Sequence, residues 1–263
     1  MLVSRRAGTL TAFGNAALLG LGGLDEAADA VTGSDALHRV VDLPGEDGPV
    51  SLALALGRLR TLGVTGLRLV LPEPGDLVGL PGPASFSTAA LAAGGVVLTV
   101  APPDLAALAL VPTAAPSDHG DVVRWDVVPV EYSLAPNGLP TLSEAERQLA
   151  ESMRETTSTF DLLDVAKGRD DVAGALRRLD RELRDLPLPA SLEPRAQRTV
   201  VTASRLVGIL SVAADAESAA VTASEAQRRA EAIRPLRRTA RHALCAAWSA
   251  ALEPTHGRDA ARR

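Results

Sequence analysis

Two groups of side chains have the types and spacing to do chemistry. The first is Glu73, Asp76, Ser85 and Ser87, in or just past a loop from Pro72 to Ser85 that holds four prolines and three glycines. Carboxylates and hydroxyls are what an acid–base or nucleophilic site draws on. The loop leaves the end of an apolar run, Leu67–Leu71, and ligands of open α/β sheets sit beyond the carboxyl ends of strands. The plainer reading is turn chemistry: Pro74-Gly75-Asp76 makes a turn and the serines cap a helix. The second group is Arg234, Arg237, Arg238 and Arg241, at steps of three and four, extended by Arg228 and His242. Such a basic stripe can dock an acidic partner surface or nucleic acid. It can equally be a solvated helix face answered by acids on neighbouring helices.

Other chemical signatures are incomplete. A P-loop needs a lysine directly after its last glycine, and the sole lysine, Lys167, precedes one. Gly20-Leu21-Gly22-Gly23 resembles part of a dinucleotide fingerprint, but Asp25-Glu26 puts negative charge where a pyrophosphate would bind, and a flexible turn is the plainer reading. There is no G-x-S-x-G and no H-E-x-x-H. Asp118-His119-Gly120-Asp121 sets an imidazole among carboxylates, and reads as a solvated turn. His242 and Cys245 share a helix face, yet no further ligands complete a metal set. The sequence therefore assigns no catalytic residue, no metal and no cofactor.

The elements that must position these residues fall into two halves. Leu52, Leu56 and Leu59, with Leu54 and Leu62, form a mostly apolar helix stopped by Gly63. Leu67–Leu71 follows as a strand buried on both faces. Thr9–Phe13, His38–Leu43, Val96–Val100 and Ala107–Val111 read as further strands, and Ser85 or Ser87 opens a helix to Ala93. Pro112–Asp121 reads as a polar loop. Val122–Tyr132 alternates and reads as a half-exposed edge strand. Strands alternating with helices imply an α/β domain over residues 1–136 with a mostly parallel sheet and flanking helices.

Beyond Ala135–Pro140 the strand signals stop. Thr141-Leu-Ser-Glu144 is a capping box, and a narrow seam runs from Leu142 through Leu149 and Met153 to Phe160 and Leu163. Asp170 or Asp171 and Pro194 open two more helices. Thr222-Ala-Ser-Glu225 opens a fourth, which Pro235 should kink or divide. Residues 141–252 thus read as an all-α helical bundle, either up-and-down or a pair of helical hairpins, and residues 253–263 as a disordered tail. The whole is α+β.

Composition bounds the function. The chain is 46% hydrophobic and 22% charged, with arginine in place of lysine almost throughout, as high genomic GC content produces in an actinobacterium. Residues 1–136 carry 7 arginines against 14 acids, a net of −7, while residues 137–263 are net +2. A net charge of −5 and six aromatic residues argue against a nucleic-acid partner. No apolar run is long enough to span a membrane. Ser4-Arg5-Arg6 before a mildly apolar stretch resembles a weak twin-arginine export signal, but Asn15 breaks the stretch and acids crowd the cleavage region, so cytoplasmic residence is the expectation. The reading that follows is a non-enzymatic binding, regulatory or scaffold protein. It would meet a protein partner or a second copy through its helical half. The alternative is an enzyme or small-molecule binder using the loop 72–87.

Overall fold

The computed structural model describes residues 2–102, 104–131, 138–155, 170–217 and 223–253. In chain order the elements are α1 (Leu2–Leu18), α2 (Leu24–Thr32), β1 (Leu37–Val41), α3 (Leu52–Thr61), β2 (Gly66–Val70), α4 (Ala84–Ala93), β3 (Val96–Val100), β4 (Ala107–Ser117) and β5 (Gly120–Val130). Helices α5 (Leu142–Glu155), α6 (Asp170–Arg184), α7 (Pro194–Glu217) and α8 (Ala223–Trp248) follow, with a 3-10 turn at Ala250–Leu252.

The five strands form one mixed sheet in the order β1-β5-β4-β3-β2. Only β1 and β5 pair in parallel; the other three pairings are antiparallel. The expectation of a mostly parallel sheet is corrected here, and for the β3–β4 and β4–β5 pairings connection length is the cause. Residues 101–106 are too few for the crossover that a parallel neighbour needs. Ser117 pairs with Gly120 across a two-residue turn at Asp118-His119, so most of the expected polar loop is hairpin. Strand β5 lies between β1 and β4 and is not an edge. Its alternation arises because Val123, Trp125 and Val127 enter the core while Arg124 and Asp126 lie on the opposite, less covered side.

Core residues sit on both faces of the sheet. Leu67, Leu69, Val97, Leu110 and Trp125 join α1, α3 and α8 in the larger cluster, which also takes in Leu142, Leu149, Val200 and Leu244. Val70, Val96, Leu98 and Ala109 pack against Phe86 and Ala90 of α4 in the smaller one. Thr9–Phe13, expected as a strand, belongs to α1. Ala7, Leu10, Ala12, Phe13, Ala16 and Ala17 are buried, and so are Arg6, Thr9, Thr11 and Asn15. A helix buried nearly all round has no polar face to reveal its period. Asn15 bonds the outer edge of β2: its amide donates to the Leu67 carbonyl at 2.9 Å, and its Oδ1 accepts the Leu67 N–H at 2.6 Å. Ser249 Oγ accepts the Leu69 N–H at 3.0 Å.

In the C-terminal half α8 packs against α5 and α7, and α6 against α7. The Thr141 capping box forms: Glu144 Oε2 accepts the Thr141 N–H at 2.9 Å, and Thr141 Oγ1 accepts the Glu144 N–H at 3.3 Å. Helix α8 runs on through Pro235 without division. Glu253, expected as the first tail residue, accepts the Leu142 N–H at 2.6 Å. Thr222, Phe160, Leu163 and residues 254–263 lie outside the described residues.

Candidate functional site

The two groups singled out by residue type meet. Glu73-Pro74-Gly75-Asp76 is a tight turn in which Glu73 and Asp76 exchange backbone hydrogen bonds, of 3.1 and 2.8 Å. Proline before glycine supplies the dihedrals, with Gly75 at φ +82°. The turn presents its two carboxylates to α8. Glu73 Oε1 lies 3.0 Å from Arg237 Nε, and Oε2 lies 2.6 Å from Arg241 Nη1. Asp76 accepts a hydrogen bond from Arg241 Nη2, lies 3.0 Å from His242 Nε2, and faces Arg238 Nε at 3.4 Å. Asp76 and Arg241 are both buried, whereas Arg238 is half-exposed.

Burial alone would raise the Asp76 carboxyl. The Arg241 hydrogen bond and the charges of His242, Arg241 and Arg238 outweigh it and hold the group below the usual carboxylate range. His242 is pushed down from the ordinary imidazole value, mainly by burial, against the opposing pull of Asp76. Asp76 is therefore an ionised carboxylate hydrogen-bonded through Oδ2, with Oδ1 facing only the Arg238 charge, and is suited to holding a loop rather than to moving protons.

Ser85 and Ser87 are not part of this cluster. They lie in the first turn of α4, whose Phe86 and Ala90 pack on the opposite face of the sheet. Pro83, not a serine, holds the cap position, which corrects the capping expectation. Arg234 is exposed and has no ion-pair partner among the described residues. With Arg238 and His242, one and two turns further on, it lines a cleft of about 840 Å3. Val78, Gly138, Leu139, Pro140, Glu144 and Gln148 form the opposing wall. Glu144 is engaged by its cap, and Glu231, which also borders the cleft, has a partner of its own.

Sequence reasoning missed a second buried polar cluster. Arg6 of α1 pairs with Asp35 at 2.6 Å and with Asp121 at 2.7 Å. His38 Nε2 lies 2.9 Å from Asp35 Oδ2, and the Trp125 indole N–H donates to His38 Nδ1 at 3.1 Å. That acceptor role fixes His38 as the neutral Nε2–H tautomer. Burial lowers the His38 value, Asp35 opposing. The available signal was an arginine inside an apolar run, which must find a buried counter-charge. Asp118 and His119 occupy the hairpin turn, as expected of a solvated turn. Cys245 is buried and its thiol is pushed up to about 12 by desolvation, so it is a packed side chain. No group of three or more metal-ligating residues occurs among the described residues. Among them, no helix is long and apolar enough to cross a membrane.

Comparison with known proteins places this architecture. Residues 7–140 match the family model of the Rv1486c-like protein N-terminal domain, and residues 143–245 that of the Rv1486c-like protein C-terminal domain. The uncharacterized protein Rv1486c of Mycobacterium tuberculosis (strain ATCC 25618 / H37Rv) is 31% identical over 284 residues, covering 93% of this chain and 96% of its own. The uncharacterized protein MT1533 of M. tuberculosis (strain CDC 1551 / Oshkosh) is 30% identical over 282 residues, with the same coverage. No solved structure matches. With both family models matched in order along most of its length, the chain belongs to the bacterial Rv1486c-like family.

Proposed function

We propose that this chain is a non-enzymatic binding protein of the cytoplasm. It acts through its helical domain, residues 141–252, and takes an anionic group of its ligand or partner into the cleft along α8. One observation carries the reading. The carboxylates best placed for catalysis, Glu73 and Asp76, are taken up by Arg237, Arg238 and Arg241. What remains toward the cleft is cationic and hydrogen-bonding: Arg234, the outer part of Arg238 and His242. Guanidinium forks match carboxylate and phosphate geometry. The alternative enzyme built on the loop 72–87 loses its hydroxyls, since Ser85 and Ser87 belong to a different face. Cytoplasmic residence is supported by α1. The stretch that an export signal would occupy carries the buried Arg6, Ala7 and Leu10 of the core.

The test is calorimetric titration of the whole chain with pyrophosphate and, separately, with citrate. Saturable binding of either, weakened about tenfold or more in Arg234→Ala and with the probe recovered unchanged, is the expected result. No heat with either probe, or equal binding by Arg234→Ala, overturns the cleft. Conversion of the probe overturns the non-enzymatic reading.

A further inference from the structure

Helix α6 carries a second cationic surface that shares no residue with the cleft and does not depend on it. Its inner side is fixed, because Val172, Leu179 and Leu183 are buried. Its outer side then presents Arg177, Arg178, Arg181 and Arg184, all exposed, with the exposed Glu182 and Asp185 beside them, four cations against two acids. None has an ion-pair partner among the described residues, whereas Arg195 pairs with Glu146 and Arg205 with Asp180 close by. The four arginines border an open groove of about 530 Å3. Asp180, also on the groove, is already held by Arg205 at 2.6 Å.

We infer that this stripe docks an extended acidic segment of a partner protein. A helix rises about 1.5 Å per residue, so Arg177 and Arg181 stand about 6 Å apart along the axis and Arg184 about 4.5 Å further. An extended chain repeats same-side residues every ~6.6 Å, so Asp or Glu at alternate positions meets successive arginines. Long nucleic acid fits less well. The chain as a whole is net −5 and holds only six aromatic residues for stacking. A short acidic segment feels chiefly the local field, because charges beyond about 8–10 Å are screened.

The experiment uses the full chain and a labelled ten-residue peptide with Glu at every second position, followed by fluorescence anisotropy. Saturable binding is expected in about 50 mM salt, falling at least tenfold in about 300 mM. Arg177→Glu with Arg181→Glu should weaken it at least tenfold while circular dichroism is unchanged. Arg177→Lys with Arg181→Lys should retain most of it. Three results overturn the proposal. They are absence of saturable binding at low salt, undiminished binding by the charge-reversed variant, and tighter binding of single-stranded DNA of equal charge. Loss of peptide binding in Arg234→Ala but not in the α6 variant would place the peptide in the cleft and would also overturn it.

Discussion

Single residues carry the charge balance at two buried points. Asp76 is the buried acceptor for Arg241, and removing its charge leaves the buried guanidinium with only the third-exposed Glu73 as counter-charge. Asp76→Asn should cost about 3 to 5 kcal/mol in urea denaturation. Glu73→Gln, at a third-exposed position, should cost less than about 1 kcal/mol. Equal costs would mean that burial at Asp76 does not matter. His38 and His242 both have lowered values in the folded chain. The unfolded chain therefore binds protons that the folded one refuses. Their contribution to stability is complete above the usual imidazole value of 6.5 and is lost as pH falls below it. Protonation of His38 would also set two N–H groups against each other, since Nδ1 accepts from Trp125. Asp35 and Asp76, lowered from 3.8, add a second loss at still lower pH. Denaturation midpoints measured from pH 8 to pH 4 should decline first below about 6.5. His38→Gln should flatten that first decline in part, leaving the share of His242. A flat profile over this range would contradict both histidine assignments.

At the scale of elements, α1 and α8 cross with almost no space between them. A methyl group at Gly8 would lie 2.6 Å from the Trp248 ring. Gly8→Ala should therefore destabilise the protein by about 1 to 3 kcal/mol, read as a lower urea midpoint. An unchanged midpoint would show that the two helices are not in contact. The same helix marks where sequence reasoning stopped. Helix α3, strands β2 and β3, and the openings of α5, α6 and α7 were legible, because each has a period, a cap or a flanking glycine or proline. Helix α1 was not, because threonines alternating with apolar residues imitate a strand when both sides are buried. The antiparallel pairing of β3 with β4 was legible in principle from the short 101–106 connection, whereas that of β2 with β3, joined through α4, was not. Within the site, Glu73, Asp76, Arg237, Arg238 and Arg241 were singled out by type. Their pairing was not visible, because Arg237 and Arg241 lie 164 and 165 residues from Glu73 and Asp76. No local pattern links such distant partners.

Across the whole molecule, the family models divide the chain near residue 140, yet one apolar cluster runs through both parts. Trp248, Ser249 and Arg241 reach α1, β2 and the Glu73–Asp76 turn. The full chain should unfold in one cooperative transition, followed by near-ultraviolet circular dichroism. Residues 1–140 expressed alone should show no such transition, and a sharp melt of that fragment would establish an independent unit. The two ends of the sheet set a further condition on how molecules meet. An uncovered strand is a template on which another polypeptide can add. Here the free side of β2 is occupied by the Asn15 amide and the Ser249 hydroxyl, and on β1 Val40 exchanges hydrogen bonds with Val50. Growth of the sheet from one copy into the next is closed at those points by the chain's own groups. Fibre-like stacking of one sheet edge on another is thereby obstructed by side chains that first serve the fold.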